Sequence, residues 1–364
     1  MTRRRTRLGL GGLVALSILL LAGAAPAAAC GGLVGAGGTV KLSRTTTLAG
    51  YHHGVEHYVT SFSYAGGGAK FGSIVPLPAV PTKVEKGGAW TLQRLVRETQ
   101  PQFTGLAAAR SAPEADQAEV LSKTRIDALD VTILRGGGTA VATWARKQGF
   151  SLTVDAPEVL DFYAARSPIF MAAAFDATAA STRGQQFGEG TPVHLTIPTP
   201  NPWVPLRILG LGHQPQERIE ADLYLLTDRA PAMLPGPARA GASGIALDRS
   251  EPASPGLVSD LRSDRGMEWI PATGMHLSYL RIDTTAGRLT HDLALDASGR
   301  GTPSPVAAGL VAPSPSAARP ARAAVPGPAP APPGVLGYWA WYAVVLAGAA
   351  GLVFALRRSR RTRR

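Results

Sequence analysis

The chain has 364 residues, 45% of them hydrophobic and 17% charged, with a formal net charge of +12. That hydrophobic content excludes a wholly disordered chain, and a single cysteine, Cys30, excludes an intramolecular disulfide. The positive charge invites a nucleic-acid reading, but it is confined to the ends. Four arginines lie before Leu8, two (Arg319 and Arg322) precede the C-terminal apolar run, six follow that run, and none of these segments holds Asp or Glu, so residues 30–302 are neutral overall.

Arg3, Arg4, Arg5 and Arg7 precede an uncharged apolar run from Leu8 to about Ala25, and Pro26-Ala27-Ala28-Ala29-Cys30 follows. A basic start, an apolar stretch and a small-residue cleavage site predict a signal peptide over residues 1–29. Cys30, directly after the cut, is a candidate for lipidation. Ala27 stands where such sites usually carry Leu, so an ordinary mature N-terminus is the favoured reading.

Residues 45–52 and 55–64 are rich in β-branched and aromatic side chains and flank His53-Gly54, which predicts a tight hairpin with His52 opposite Val55 and Gly50 opposite His57. Phe71 to Leu77 reads as a strand and Trp90 to Glu98 as a short helix. A strand over 130–134 is followed by a turn at Gly136-Gly137-Gly138 and helices over 139–148 and 158–165. Residues 169–175, 193–197, 206–211 and 220–227 read as strands, and the Ala/Gly/Pro-rich stretch 231–255 as a long surface loop. Residues 276–283 and 288–295 alternate and predict a terminal hairpin. Helices mixed irregularly with antiparallel strands predict an α+β fold: mixed, largely antiparallel sheets with a few short helices, as one domain or two subdomains over 30–302.

Residues 303–334 are rich in Pro and Ala and read as a semi-rigid stalk. Residues 335–356 carry no charge and match the length of a transmembrane helix, with Tyr338, Trp339, Trp341 and Tyr342 at its start, where amphipathic rings suit the interface. The arginines in 357–364 place that tail in the cytoplasm by the positive-inside rule, and so the domain outside. The localisation expected is a single-pass cell-membrane protein with its N-terminus outside after signal cleavage.

Among candidate sites, His53-Gly54-Val55-Glu56-His57 matches the H-x-x-E-H zinc-peptidase pattern. That chemistry requires a helix, whereas the surrounding runs read as strands. In a hairpin, His52 and His57 share one sheet face and are the candidate metal ligands, with no third ligand evident. Asp155, Glu158 and Asp161 form a local acidic group, read as the capped start of a helix. Trp144, Trp203 and Trp269 are read as core or interface residues rather than a sugar-binding surface.

Gly31-Gly32, Tyr51-His52, the run Gly54 to Tyr58 and the run Ile74 to Pro78, with the later PLRILGLG and DLYLLTD segments, resemble the bacterial domain-of-unknown-function 2330 family in its actinobacterial form. The resemblance implies an exported domain, with a signal peptide and often a C-terminal span. It also implies Asp-Gly at the turn where this chain has His53-Gly54, and it implies no catalytic residues.

The expectation is a membrane-anchored cell-envelope protein with an extracytoplasmic domain that binds a ligand or partner. Its partners are the membrane, through the C-terminal helix, and a cell-wall component or another envelope protein, with no nucleic acid. It needs no cofactor. The alternative is a metal-dependent extracytoplasmic hydrolase using His52, Glu56 and His57, with zinc as its cofactor.

Overall fold

The computed structural model describes residues 27–28, 32–35, 44–62, 71–88, 90–99, 120–175, 191–237 and 244–313. Residues 1–26, Cys30 and residues 314–364 lie outside these. Most of the expected signal peptide, the lipidation candidate, the later part of the stalk, the expected span 335–356 and the arginine tail therefore lie outside the described residues. Among the described residues, no helix is long and apolar enough to cross a membrane.

The fold is α+β. The largest sheet follows the order β14 (Ile245–Pro252), β15 (His276–Thr285), β12 (Arg218–Thr227), β3 (Arg44–His52), β4 (Val55–Phe62), β10 (Thr191–Pro198) and β6 (Lys83–Lys86), with the short β1 (Ala27–Ala28) beside β3. Its pairings are antiparallel except for β3 with β12 and β1 with β3. A second, fully antiparallel sheet has the order β2 (Gly32–Gly35), β5 (Phe71–Leu77), β9 (Ile169–Phe175), β8 (Leu129–Arg135) and β7 (Val120–Ile126). A small third sheet joins β11 (Trp203–Val204), β16 (Leu293–Asp296) and β13 (Ala232–Leu234). The helices are α1 (Thr91–Thr99), α2 (Gly138–Lys147), α3 (Ala156–Ala164) and α4 (Pro255–Ser263).

These elements stack in four layers. Tyr58, Leu195, Leu223 and Leu280 of the large sheet meet Val75, Val131, Ile133 and Met171 of the second sheet in a shared core. The outer face of the second sheet, through Ile74, Leu134, Phe170 and Ala172, packs on Val141, Trp144, Leu160 and Tyr163 of α2 and α3. The outer face of the large sheet, through Leu48, Val59, Tyr224 and Leu277, is covered by Leu92 and Leu95 of α1, Leu257 and Leu261 of α4, and Met267 and Ile270 of the segment after α4. Both faces of each central sheet are covered, so β5 (FGSIVPL) and β9 (IFMAAAF) are buried along their whole length. That explains their continuous apolar character, which a strand with one wet face would lack.

Several sequence expectations are met: the 53–54 hairpin in its expected register, the strand–turn–helix at 129–147, and α1. Others are corrected. Residues 206–211 are not a strand, and Arg207–Gly210 forms a 3-10 turn. The Asp292 carboxylate accepts from the Leu206 and Arg207 N–H groups, and the Tyr163 hydroxyl accepts from Ile208 N–H, so the donors a strand would spend on a neighbour are taken by side chains. Residues 288–295 do not pair with β15. The chain turns at Ala286–Arg288, held by bonds from Ala286 to Glu217 and from Gly287 to Pro215, and β16 joins the third sheet instead. The expected loop 231–255 contains β13 and the edge strand β14, whose charged sequence IALDRSEP hides its role. Residues 303–313 pack on the domain: Ala308 is fully buried, the Ala308 carbonyl accepts from Asp292 N–H, and the compact unit runs to Pro313.

Candidate functional site

The β3–β4 hairpin turns through His53 (φ 50°) and Gly54 (φ 81°), two consecutive left-handed residues, as a two-residue I′ turn demands. Strand alternation then sorts the neighbouring side chains. Gly50, His52, His57 and Val59 face the helical layer, while Tyr51, Glu56 and Tyr58 face the second sheet. Gly50, paired with His57, has no side chain because Trp269 occupies the space: a Cβ built there would lie 2.2 Å from the indole Cη2. The indole lies flat on the His57 ring, with centroids 4.0 Å apart and planes 4° from parallel. Gly50→Ala is therefore expected to displace Trp269 and destabilise the domain by about 1–3 kcal/mol, the usual range for overpacking. Urea unfolding with near-UV circular dichroism tests this, and an unchanged midpoint and aromatic signal would show that the indole has room to spare.

Beside His57 stands His194 of β10, with His57 Nδ1 and His194 Nε2 3.1 Å apart. The register explains the meeting, since Thr196 pairs with His57 and His194 pairs with Val59, which puts the two histidines diagonally on one face. On the far side, His194 Nδ1 lies 3.5 Å from Glu85 Oε1 of β6, too long for a good hydrogen bond. Burial lowers both histidines: His57 to about 3, helped by His194 and His52, and His194 to about 4, against the raising influence of Glu85. Both rings are thus neutral at physiological pH, and the hydrogen positions follow from their neighbours. With His194 Nδ1–H toward the Glu85 carboxylate, His194 Nε2 accepts from His57 Nδ1–H.

The two metal-ligand candidates of the sequence lie on one sheet face, as the register expected. His52 does share the face of His57, but its Nδ1 is 2.6 Å from Asp228 Oδ1. The histidine that meets His57 is His194, which the sequence did not single out. Its only signal is long-range, since β4 and β10 are neighbours in space and distant in sequence. Glu56 points into the space between the sheets, on the face opposite His52 and His57, so the three groups of the hydrolase alternative do not form one site. The Glu56 side chain is 1% exposed, neither carboxyl oxygen has a hydrogen-bond partner among the described residues, and desolvation pushes its pKa up to about 8, against the lowering influence of the Trp203 backbone. Among the described residues, no group of three or more His, Cys, Asp or Glu side chains could hold a metal ion.

Other polar groups are committed to structure. Asp155 stands at the N-cap of α3 but does not cap it. Its carboxylate accepts from Gly212 N–H at 2.9 Å, while Glu158 pairs with Arg207 and Asp161 accepts from Gly138 N–H at the start of α2. The acidic group is therefore dispersed among three tasks rather than forming the expected capping arrangement. Trp144 and Trp203 are core residues. A cleft of about 750 Å³ lies between the start of α3 and the segments 207–215 and 286–290, lined by Asp155, Glu158, Arg207, His213, Gln214 and Leu289 among others. Val154 stands at this cleft fully exposed.

A four-layer domain with a buried histidine pair and an open cleft defines a class of α+β proteins without assigning a reaction. The sequence profile of a bacterial family described as "Uncharacterized protein conserved in bacteria (DUF2330)" matches residues 24–233, and the chain belongs to that family. No curated protein matches the chain. Among solved structures, the crystal structure of baculovirus P35 is 8% identical, with 71% of this chain and 97% of that chain covered and a TM-score of 0.39. A mutated baculovirus P35 after caspase cleavage is 9% identical, with 70% and 99% covered and a TM-score of 0.38. The P35 of a caspase-8 complex is also 9% identical, with 70% and 96% covered and a TM-score of 0.37. Likenesses at this level carry no inference about this chain.

Proposed function

We propose that this protein is anchored in the cell membrane by residues 335–356 and presents its folded domain outside the cell, where the domain binds a cell-wall component or another envelope protein. The carrying observation is the distribution of charge. Every excess positive charge lies in the two ends and the linker, around apolar runs of export and spanning type, and the domain between them is neutral. The cleft beside α3 is the surface assigned to the ligand. It combines apolar walls from Leu289 and Pro215 with polar groups from Arg207, Gln214 and Asp155, the usual mixture for orienting a ligand. The separation of Glu56 from His52 and His57 supports binding over the hydrolase alternative.

Protease treatment of intact cells tests the topology. The domain is expected to be cut away while the arginine tail stays protected and in the membrane fraction. A domain that resists protease until the cells are lysed would refute the proposal. The binding assignment is tested by co-sedimentation of the purified unit ending at Pro313 with isolated cell wall, and by pull-down from envelope extract. Arg207→Ala is expected to weaken whatever is recovered.

A further inference from the structure

We propose that His57 and His194 are a two-imidazole site for a divalent transition metal, with Glu85 orienting the second ring and the remaining coordination positions open to water or to a donor from a bound partner.

The geometry of the pair carries the inference. Its facing nitrogens are 3.1 Å apart. At the usual metal–nitrogen distance of about 2.0–2.1 Å, that separation subtends about 98° at a shared ion, between the tetragonal geometry of Cu²⁺ and the tetrahedral geometry of Zn²⁺. Two imidazoles on adjacent antiparallel strands are held on a rigid base, since β4 and β10 pair along their whole length. The ion takes the place of the hydrogen between the two rings, and the His57 proton moves from Nδ1 to Nε2, so that both rings ligate as neutral imidazoles.

The surroundings fit this role. A ligating histidine characteristically has its other ring nitrogen turned to a carboxylate, and Glu85 Oε1 faces His194 Nδ1 at 3.5 Å. Glu85 and Glu268 add negative potential at His194, against one opposing cation, Lys83. Trp269 stacks on His57 and fixes the ring plane. Both histidines are buried, His57 8% and His194 2% exposed, on the helical side of the large sheet rather than in the inter-sheet core. Two protein ligands form an open site, and its natural complement is a donor brought by another molecule.

The test uses untagged full-length protein in detergent, carrying Cys30→Ser to remove the thiol, titrated with Cu²⁺ and with Zn²⁺. One ion per chain is expected. His57→Ala and His194→Ala should each weaken binding at least ten-fold, Glu85→Gln should weaken it about ten-fold, and His52→Ala should leave it unchanged. The electron paramagnetic resonance spectrum of the Cu²⁺ form should show two coordinated nitrogens, a reading that needs no variant to fold. Failure to bind either ion, a spectrum without two nitrogens, or a loss seen with His52→Ala but not His194→Ala would overturn the proposal. The last outcome would assign the metal to the hairpin pair His52 and His57. Because the readout is metal binding by the chain alone, its failure leaves the topology and cleft assignments standing.

Discussion

Replacing Asp292 by Ala is expected to cost the domain about 3–5 kcal/mol, because it strands a buried cation. Asp292 is fully buried on the approach to β16. Its Oδ1 accepts from the Leu206 and Arg207 N–H groups and from the Tyr163 hydroxyl, and its Oδ2 accepts from the Arg166 guanidinium. Arg166 in turn donates to the Ala307 carbonyl and lies over the rings of Phe162, Tyr163 and Trp203. One carboxylate thus ties α3, the 207–210 turn and the C-terminal segment together. Asp292→Ala leaves the Arg166 charge without its carboxylate and the two backbone donors without an acceptor. Asp292→Asn retains an acceptor for those donors and should cost less. Urea unfolding midpoints order the three proteins, and an alanine variant within about 1 kcal/mol of the parent would show that water replaces the network at little cost. The pair Asp292→Leu with Arg166→Met, which removes both charges, should recover part of the loss.

The second large effect has the opposite sign. Glu56→Gln should stabilise the domain at pH 8 by a few kcal/mol and make little difference at pH 4, since each unit of pKa shift is worth about 1.4 kcal/mol. Burial raises the folded pKa of Glu56 to about 8 from 4.5. The folded state therefore holds the proton more tightly than the unfolded chain does. Its contribution is fully present below pH 4.5 and is lost as pH rises through 8. Glutamine keeps the shape without the ionisation. Unfolding free energies of parent and variant should diverge steadily between pH 4.5 and 8, and a pH-independent gap would show that Glu56 finds water or a partner. His57 and His194 oppose this trend. Their folded values lie at about 3 and about 4, below the ordinary 6.5, so their contribution is complete above pH 6.5 and is lost as pH falls toward those values. Adjacent residues on opposite faces of β4 thus set both limits of a stability optimum in mildly acidic solution.

The hairpin at 53–54 was legible because its cause is local. Two turn residues that accept positive φ, flanked by β-branched runs, specify both turn and register, and the register alone puts His52 and His57 on one face. Helix α1 and the glycine turn before α2 were legible for the same reason. Helix α4 also carries a local signal: Ser254 accepts from Leu257 N–H as an N-cap, and Pro255 occupies the first turn. No such signal exists for the 207–210 turn, where Asp292 and Tyr163 capture backbone donors from segments remote in sequence.

The sequence by itself determined the neutral middle between charged, apolar ends, the α+β character, the hairpin and its register, and membership of the family, since these depend on composition, local propensity and residue identity. Only the tertiary structure decided that the central sheets are covered on both faces, that Glu56 turns away from the histidines beside it, and that the partner of His57 is His194 rather than His52. The physical reason is that alternation along one strand is a local rule. Which strand lies alongside is set by the packing of whole faces, where residues about 140 positions apart come within hydrogen-bonding distance.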